Sequence, residues 1–458
     1  MMSWQEAADC LARGSATLLS LWGEPGAVHL ALWQDGAVRH LAFACPDGRY
    51  PSLGRCHPPA IRLERAVRDL DGLDPVGLPD PRPWLDHGPD PASYPFLPAE
   101  GAHLHQVPVG PVHAGIIEPG HFRFTCDGET IVRLEQRLGY VHRGVEALMQ
   151  GLPPDTAARL AGRISGDSTV AYALPFARAA EQASGTEPPP RAVWLRAVMA
   201  ELERLANHLG DVGAICNDAA FSLMHAHCAV LRERTLRAAA ACFGHRLMMD
   251  VVVPGGVAQD LPAAGEAILR ALIDEVRLRV PPLVRLYDAT ASLQDRTVGT
   301  GIVRPELARQ FGAGGFVGRA SGRDFDARRM PGYPPYDALA FDVPVLAEGD
   351  VNARVWLRIR EIGETLGLLG QLLDRLPVGA LRTALAGQDG EAVTLAEGFR
   401  GDVLIWLRLE KGRVARCHAR DPSWFQWPLL EAAIEGNIIA DFPLCNKSFN
   451  CSYAGHDR

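Results

Sequence analysis

The densest chemistry in the chain lies between Leu138 and Ser168. His142, Arg143 and Glu146 fall close together in an apolar, glycine-flanked stretch. On a helix Glu146 stands three residues from Arg143 and four from His142, on a shared face. Such a set can hold a buried charge network or relay a proton. The same spacing also suits an ordinary intrahelical ion pair. Further on, Ser165 and Ser168 stand three apart. A helix there points both hydroxyls the same way, a ligand-pair geometry carried by side chains that make poor ligands.

Other candidates are weaker. Arg319, in Arg319-Ala320-Ser321-Gly322, can reach into a cleft or face solvent from a loop. Gly312-Ala313-Gly314-Gly315 lacks the Lys-Ser/Thr of a phosphate-binding loop. His225, His227 and Cys228 would be spread around a helix axis, which does not converge on a metal. The ten cysteines contain no Cys-x-x-Cys pair and read as buried small hydrophobes.

These residues need a scaffold. A chain of 458 residues supports two or three domains, and 47% apolar with 22% charged residues is ordinary globular composition. A net charge of −8 without a basic patch excludes nucleic acid as a partner. The opening residues carry no signal-peptide pattern, and no apolar run approaches the ~18 residues of a membrane span. A cytoplasmic protein is expected, one able to dock on a membrane complex.

Residues 1–88 read as a small α+β domain, with a hairpin of Ala27–Trp33 and Val38–Ala44 and a helix over Pro59–Leu70. Residues 89–107, with Pro89, Pro91, Pro95, Pro98 and Gly101, read as a linker. Residues 108–136 read as strands. From 143 to 285 the apolar spacing predicts a bundle of long helices, including a continuous helical stretch over Thr156–Ser184. A loop-rich segment over 296–345, a helix at Val351–Leu373, a hairpin of Val403–Leu409 and Val414–His418, and a short helix at Pro428–Ile434 follow. The expected class is α+β, mainly α.

Several ordered motifs then resemble one family. They are Val107–His113, Glu118–Phe122, Asp127-Gly128-Glu129, Gly139–Glu146, Glu201–Leu209, Gly255-Gly256-Val257 with Asp260-Leu261, Gln294–Gly299 and Arg319–Gly322. Together they are similar to the large subunit of energy-converting, membrane-bound [NiFe] hydrogenases of the formate hydrogenlyase type, and to its sister, the quinone-site (NuoD-type) subunit of respiratory complex I. The resemblance spans 107–458 and implies the hydrogenase large-subunit fold, a long-helix bundle with peripheral β-hairpins, for 108–458. Residues 1–88 resemble a shortened NuoC-like companion.

The resemblance also assigns roles. In the hydrogenases two Cys-x-x-Cys pairs hold nickel and iron. Here those positions fall on Ser165, Ser168, Ser452 and Gly455, ahead of Asp457-Arg458; a register slipped by one brings in Cys451 with Ala454. Nickel and low-spin iron want ionised sulfur, so no NiFe centre and no metal is expected. Ser165, Gly166, Asp167, Ser168, Ser452 and Gly455 are expected to line the emptied cavity. In the complex I branch a tyrosine and a hairpin-loop histidine bind the quinone head group. Those positions align with Gly166 and Ile117, which cannot do so. Glu146 matches the hydrogenases' proton-passing glutamate. His142 and Arg143 match residues facing the iron–sulfur cluster of a small, NuoB-like subunit, and Arg319 matches an arginine near the buried site.

The resulting expectation is a nickel-free subunit of a membrane-bound, complex I-related oxidoreductase complex, attached at the inner face of the cell membrane beside membrane subunits. It would act in electron transfer coupled to ion translocation, with quinone as the candidate acceptor and no cofactor on this chain. A non-catalytic coupling subunit is the alternative, and an active hydrogenase the least favoured.

Overall fold

Three three-stranded antiparallel sheets flank a bundle of long helices. The computed structural model describes residues 2–88, 93–114 and 117–458. Helix α1 (Trp4–Ala12) opens on a reciprocal Ser3–Glu6 cap. Strands β1 (Thr17–Glu24), β2 (Ala27–Gln34) and β3 (Ala37–Ala44) form the first sheet in that order. The expected hairpin is β2–β3. Its turn residues Asp35 and Gly36 both have positive φ, as a tight two-residue hairpin requires. Short strands β4 (Arg49–Pro51) and β5 (Asp74–Val76) pair in parallel around α2 (Ile61–Asp71), the expected helix.

Pro89, Asp90 and Pro91 of the expected linker lie outside the described residues. The end of that linker is corrected: β6 (Leu104–Val109) pairs with β7 (His121–Asp127), which pairs with β8 (Thr130–Arg137). Pro108 is tolerated because β6 is an edge strand.

Next come α3 (Val145–Met149), α4 (Pro154–Ala161), α5 (Thr169–Ser184), α6 (Pro190–Asp218) and α7 (Ser222–Phe243). The pair β9 (Val252–Val253) and β10 (Gly256–Val257) precedes α8 (Gly265–Ala289), α9 (Ala291–Thr297), α10 (Pro305–Gln310), α11 (Gly315–Ala320) and α12 (Val351–Asp374). The third sheet holds β11 (Gly390–Glu397), β12 (Asp402–Glu410) and β13 (Arg413–Arg420); α13 (Ser423–Ile434), α14 (Phe442–Phe449) and α15 (Tyr453–Asp457) follow. No helix among the described residues is long and apolar enough to cross a membrane.

Helix α6 is the spine of the bundle and is buried on nearly all sides. Its charged side chains must therefore find partners inside. Glu201 takes Arg328 at 3.0 Å and Arg204 at 3.3 Å, and His208 meets Glu361 of α12 at 2.6 Å. The continuous helix expected over 156–184 is in fact α4 and α5, separated by residues 162–168. Ser165, Gly166, Asp167 and Ser168 favour local side-chain and turn bonds over helix, and the Ser168 amide closes a turn on the Ser165 carbonyl at 3.1 Å.

The N-terminal unit has no core of its own. Leu18, Leu21, Val28 and Leu30 share one apolar cluster with Phe122, Trp424 and Trp427, while Leu19 and Trp22 join the cluster of the helix bundle. A β-bulge between Leu18 and Ser20 lets β1 serve both.

A closed centre and a stapled loop

The four positions aligned with metal ligands do come together. The Ser165 and Ser452 hydroxyls, both buried, hydrogen-bond at 2.8 Å. Ser165 and Ser168 each donate to Asp167 Oδ1 at 3.0 Å. The shared face expected from a helix is thus supplied by a turn. Arg400, between β11 and β12, donates to Asp167 Oδ1 at 2.7 Å, Asp167 Oδ2 at 2.5 Å and Ser168 Oγ at 3.0 Å, and its Nε donates to the Asn450 carbonyl. Burial alone would raise the Asp167 carboxyl, but Arg400 and the two hydroxyls outweigh it and hold it at about 2.

Gly455 is hemmed in. A Cβ there would stand 2.5 Å from Asp421 Oδ2, which already accepts from Tyr172 Oη at 2.6 Å. Its amide donates to Ser452 Oγ at 2.9 Å. The expected emptied cavity is therefore corrected: Asp167, Arg400 and Asp421 occupy the neighbourhood of the hydroxyls. A small space of about 110 Å³ remains to one side, lined by Gly166 and Asp167 with Glu203 and Asn207. Burial pushes the Glu203 carboxyl up to about 8, although the amides of Val170 and Ala171 donate to it at 2.7 and 2.9 Å.

The second region is the 139–146 loop. Gly144, at φ 63°, breaks the chain before α3, so His142 and Arg143 are not helical. The intrahelical pairing with Glu146 consequently does not form. Residues 457–458 organise the loop instead. Asp457 accepts from the amides of Gly139 and Val141 at 2.8 and 3.0 Å, and its carbonyl accepts from His142 Nδ1 at 2.7 Å. Arg143 donates to the carbonyls of Arg163 and Ile164, which joins this loop to the serine turn. His142 and Arg143 themselves are exposed.

Glu146 points inward. It accepts from Arg458 and from the Ala419 amide, each at 2.8 Å, with His418 Nδ1 at 3.2 Å. Burial opposes ionisation, but Arg458 and His418 win and hold its carboxyl far below the usual range. Burial in turn pushes His418 down to about 4. Arg319 is fully buried away from the serine turn, pairing with Glu397 at 2.8 Å, Asp326 at 3.3 Å and Glu361. It locks the floor of the bundle.

Sequence reasoning missed four members of the site. Arg400, Asp421 and Asn450 are far from Asp167 in sequence, and no spacing marks them. His113 had a signal, since it lies between the strands of the second sheet's first hairpin; its Nε2 faces Tyr453 Oη at 3.3 Å. Ile117, the position expected to align with a hairpin-loop histidine, lies in the same loop as His113.

Against this geometry a nickel–iron centre does not fit. The four positions offer three hydrogen-bonded hydroxyls and a glycine with no room for a side chain. Among the described residues no group of three or more His, Cys, Asp or Glu is arranged to hold a metal ion.

Fold and site together define a large-subunit scaffold, a long-helix bundle around a hydroxyl-bonded, ion-paired centre. Residues 218–387 match the family described as respiratory-chain NADH dehydrogenase, 49 Kd subunit. Formate hydrogenlyase subunit 5 of Escherichia coli (strain K12) is 32% identical over 439 residues, covering 89% of this chain and 77% of that protein. The NuoD-type NADH-quinone oxidoreductase subunit of Syntrophobacter fumaroxidans is 30% identical, covering 76% and 94%. A chain in the structure of the membrane-bound sulfane sulfur reductase, an archaeal respiratory membrane complex, superposes with a TM-score of 0.72 at 25% identity, covering 78% of this chain and 99% of that one. The chain belongs to the family of [NiFe]-hydrogenase large subunits and NuoD-type complex I subunits.

Proposed function

We propose that this chain is a nickel-free, hydrogenase-like subunit of a membrane-bound, complex I-related oxidoreductase complex, and that it couples redox chemistry in its partners to ion translocation. One observation carries the reading. The four positions are satisfied by one another and by the Asp167–Arg400 pair and offer no soft donor for a metal; the adjacent Cys451 is a single thiol, kept protonated by burial. The names of the relatives, which are subunits of formate hydrogenlyase and NADH-quinone oxidoreductase, supply the setting.

Within that setting His142 and Arg143 form the face toward a small, NuoB-like iron–sulfur subunit, with membrane subunits beyond and the whole at the inner face of the membrane. Exposed side chains on a loop fixed from behind by Asp457 suit such a contact. Glu146 serves as a fixed anion that orders residues 418–419 and 458. Proton relay through it would require breaking the Arg458 pair.

A second reading, delivery of electrons to a quinone, is favoured by the His113–Tyr453 pair, whose two polar atoms face each other across the loop. The test is metal analysis and turnover of the purified complex. Stoichiometric nickel overturns the proposal. A His113→Ala or Tyr453→Phe variant that leaves the quinone KM unchanged removes the second reading. Glu146→Gln that leaves ion-coupled turnover unchanged confines Glu146 to a structural role.

A further inference from the structure

A wide groove shares no lining residue with the serine turn. It runs between the end of α1, the residues before α2, the segment around α10 and the end of α13, and encloses about 1320 Å³. Four arginines line it: Arg13, Arg304, Arg309 and Arg323. None of them forms an ion pair with a carboxylate among the described residues, although the chain as a whole is acidic. Only Glu306 and Glu435 oppose them in the lining.

Two groups in the floor call for an anionic partner. Arg323 is 9% exposed, yet its hydrogen bond is to a neutral acceptor, the Ala313 carbonyl at 2.8 Å, with its guanidinium over the Phe325 ring at 4.4 Å. Burial pushes it down to about 10, and Asp402 and Glu397, which do not hydrogen-bond it, relieve that only in part. His57 is 4% exposed and its Nε2 has no hydrogen-bond partner. A buried cation with no carboxylate in hydrogen-bond contact and a buried ring nitrogen without a partner are both costly. Each is relieved by a carboxylate entering the groove.

The size argues for a polypeptide. Small-molecule pockets enclose roughly 300–1,000 Å³ and cluster their polar groups. Here the cations are spread over three elements, with Leu11 and Leu307 between them. Such an alternation matches an extended segment presenting acidic and apolar side chains by turns.

We propose that this groove seats an acidic, extended segment of a partner subunit, held by Arg304, Arg309 and Arg323. The inference rests on the reading that the chain works inside a multisubunit complex. The test places a photoreactive benzoylphenylalanine at Ile302, an exposed groove residue, in the purified complex, and maps the cross-link by mass spectrometry. The expected product is a cross-link to an acidic stretch of another subunit. Its yield should fall roughly tenfold in the Arg304→Glu/Arg309→Glu variant, by charge repulsion, with the circular dichroism spectrum unchanged. An intact complex whose cross-links stay within this chain, or fall on a stretch without acidic residues, overturns the proposal. So does a yield indifferent to the charge reversal. Loss of the cross-link on adding millimolar inorganic pyrophosphate, without loss of any subunit, assigns the groove to a small anion and overturns it as well. A chain that purifies alone ends both this inference and the reading it rests on.

Discussion

The serine turn and the 139–146 loop are neighbours held in opposite ways. At the turn the ligand positions carry hydroxyls and a glycine, and an ion pair occupies their surroundings. In the loop the charged residues are tied to the chain's last two residues, 457 and 458. The difference shows what each set of residues is for. Ligands matter only through the group they hold, so once hydroxyls replace thiolates the polar atoms must satisfy one another. The loop's charges do structural work independent of any metal: Asp457 holds two amides and a carbonyl contact, and Glu146 holds Arg458 and the Ala419 amide.

That contrast can be broken most sharply at the two arginines. Arg400→Met removes the cation from a half-buried Asp167, leaves it the Ser165 and Ser168 hydroxyls, frees the Asn450 carbonyl, and should cost ~1–3 kcal/mol. Arg458→Met should cost less, because Glu146 keeps a main-chain donor. Equal shifts in urea midpoint would erase the distinction. Gly455→Cys restores a thiol, but its Cβ meets the Asp421 carboxylate, so a loss of ~1–3 kcal/mol with no nickel uptake is expected from overpacking. Bound nickel in that variant would show the site to be more yielding than its geometry.

Titration separates Glu203 from Glu146 by sign. Glu203, beneath the turn, has its pKa raised to about 8, so the folded state holds a proton that the unfolded state releases near ~4.3. Stability from this group is full below that unfolded value and is lost as pH rises toward 8, at a slope of up to ~1.4 kcal/mol per pH unit. Glu146 is depressed, so its contribution is present above ~4.3 and lost as pH falls. Glu203→Gln should flatten the neutral-side slope and leave the acid side unchanged. The smallest effect belongs to Arg143→Ala, an exposed change expected to stay within ~0.5 kcal/mol in the isolated chain while weakening retention of the small subunit. An unaltered subunit ratio would take the loop out of the interface.

The scaffold was legible because long helices and hairpins announce themselves by period and by turn residues. Helices α6, α8 and α12, the β2–β3 hairpin and the β12–β13 hairpin follow directly from such patterns. Strand β1 was not legible: it is buried on both faces, so it shows no alternation. Motif order singled out Ser165, Ser168, Ser452 and Gly455, and the structure does bring them together. The ion pair beside them was not legible. Arg400 meets Asp167 across 233 residues, and only the third sheet's position beside α5 brings them together. His142 and Arg143 were misplaced onto a helix because one glycine in the left-handed region outweighs the local pattern.

The N-terminal unit has a consequence for how this chain can be cut. Its sheet lends one face to each of two apolar clusters, and Arg416 reaches across to Asp71 while His418 bonds Ser20. A protease that nicks the exposed segment near residues 100–103 leaves two polypeptides that stay together as one particle. Separately produced halves would each display raw apolar surface. Inheritance of the two units as a single gene product therefore guarantees that neither is ever made without the other.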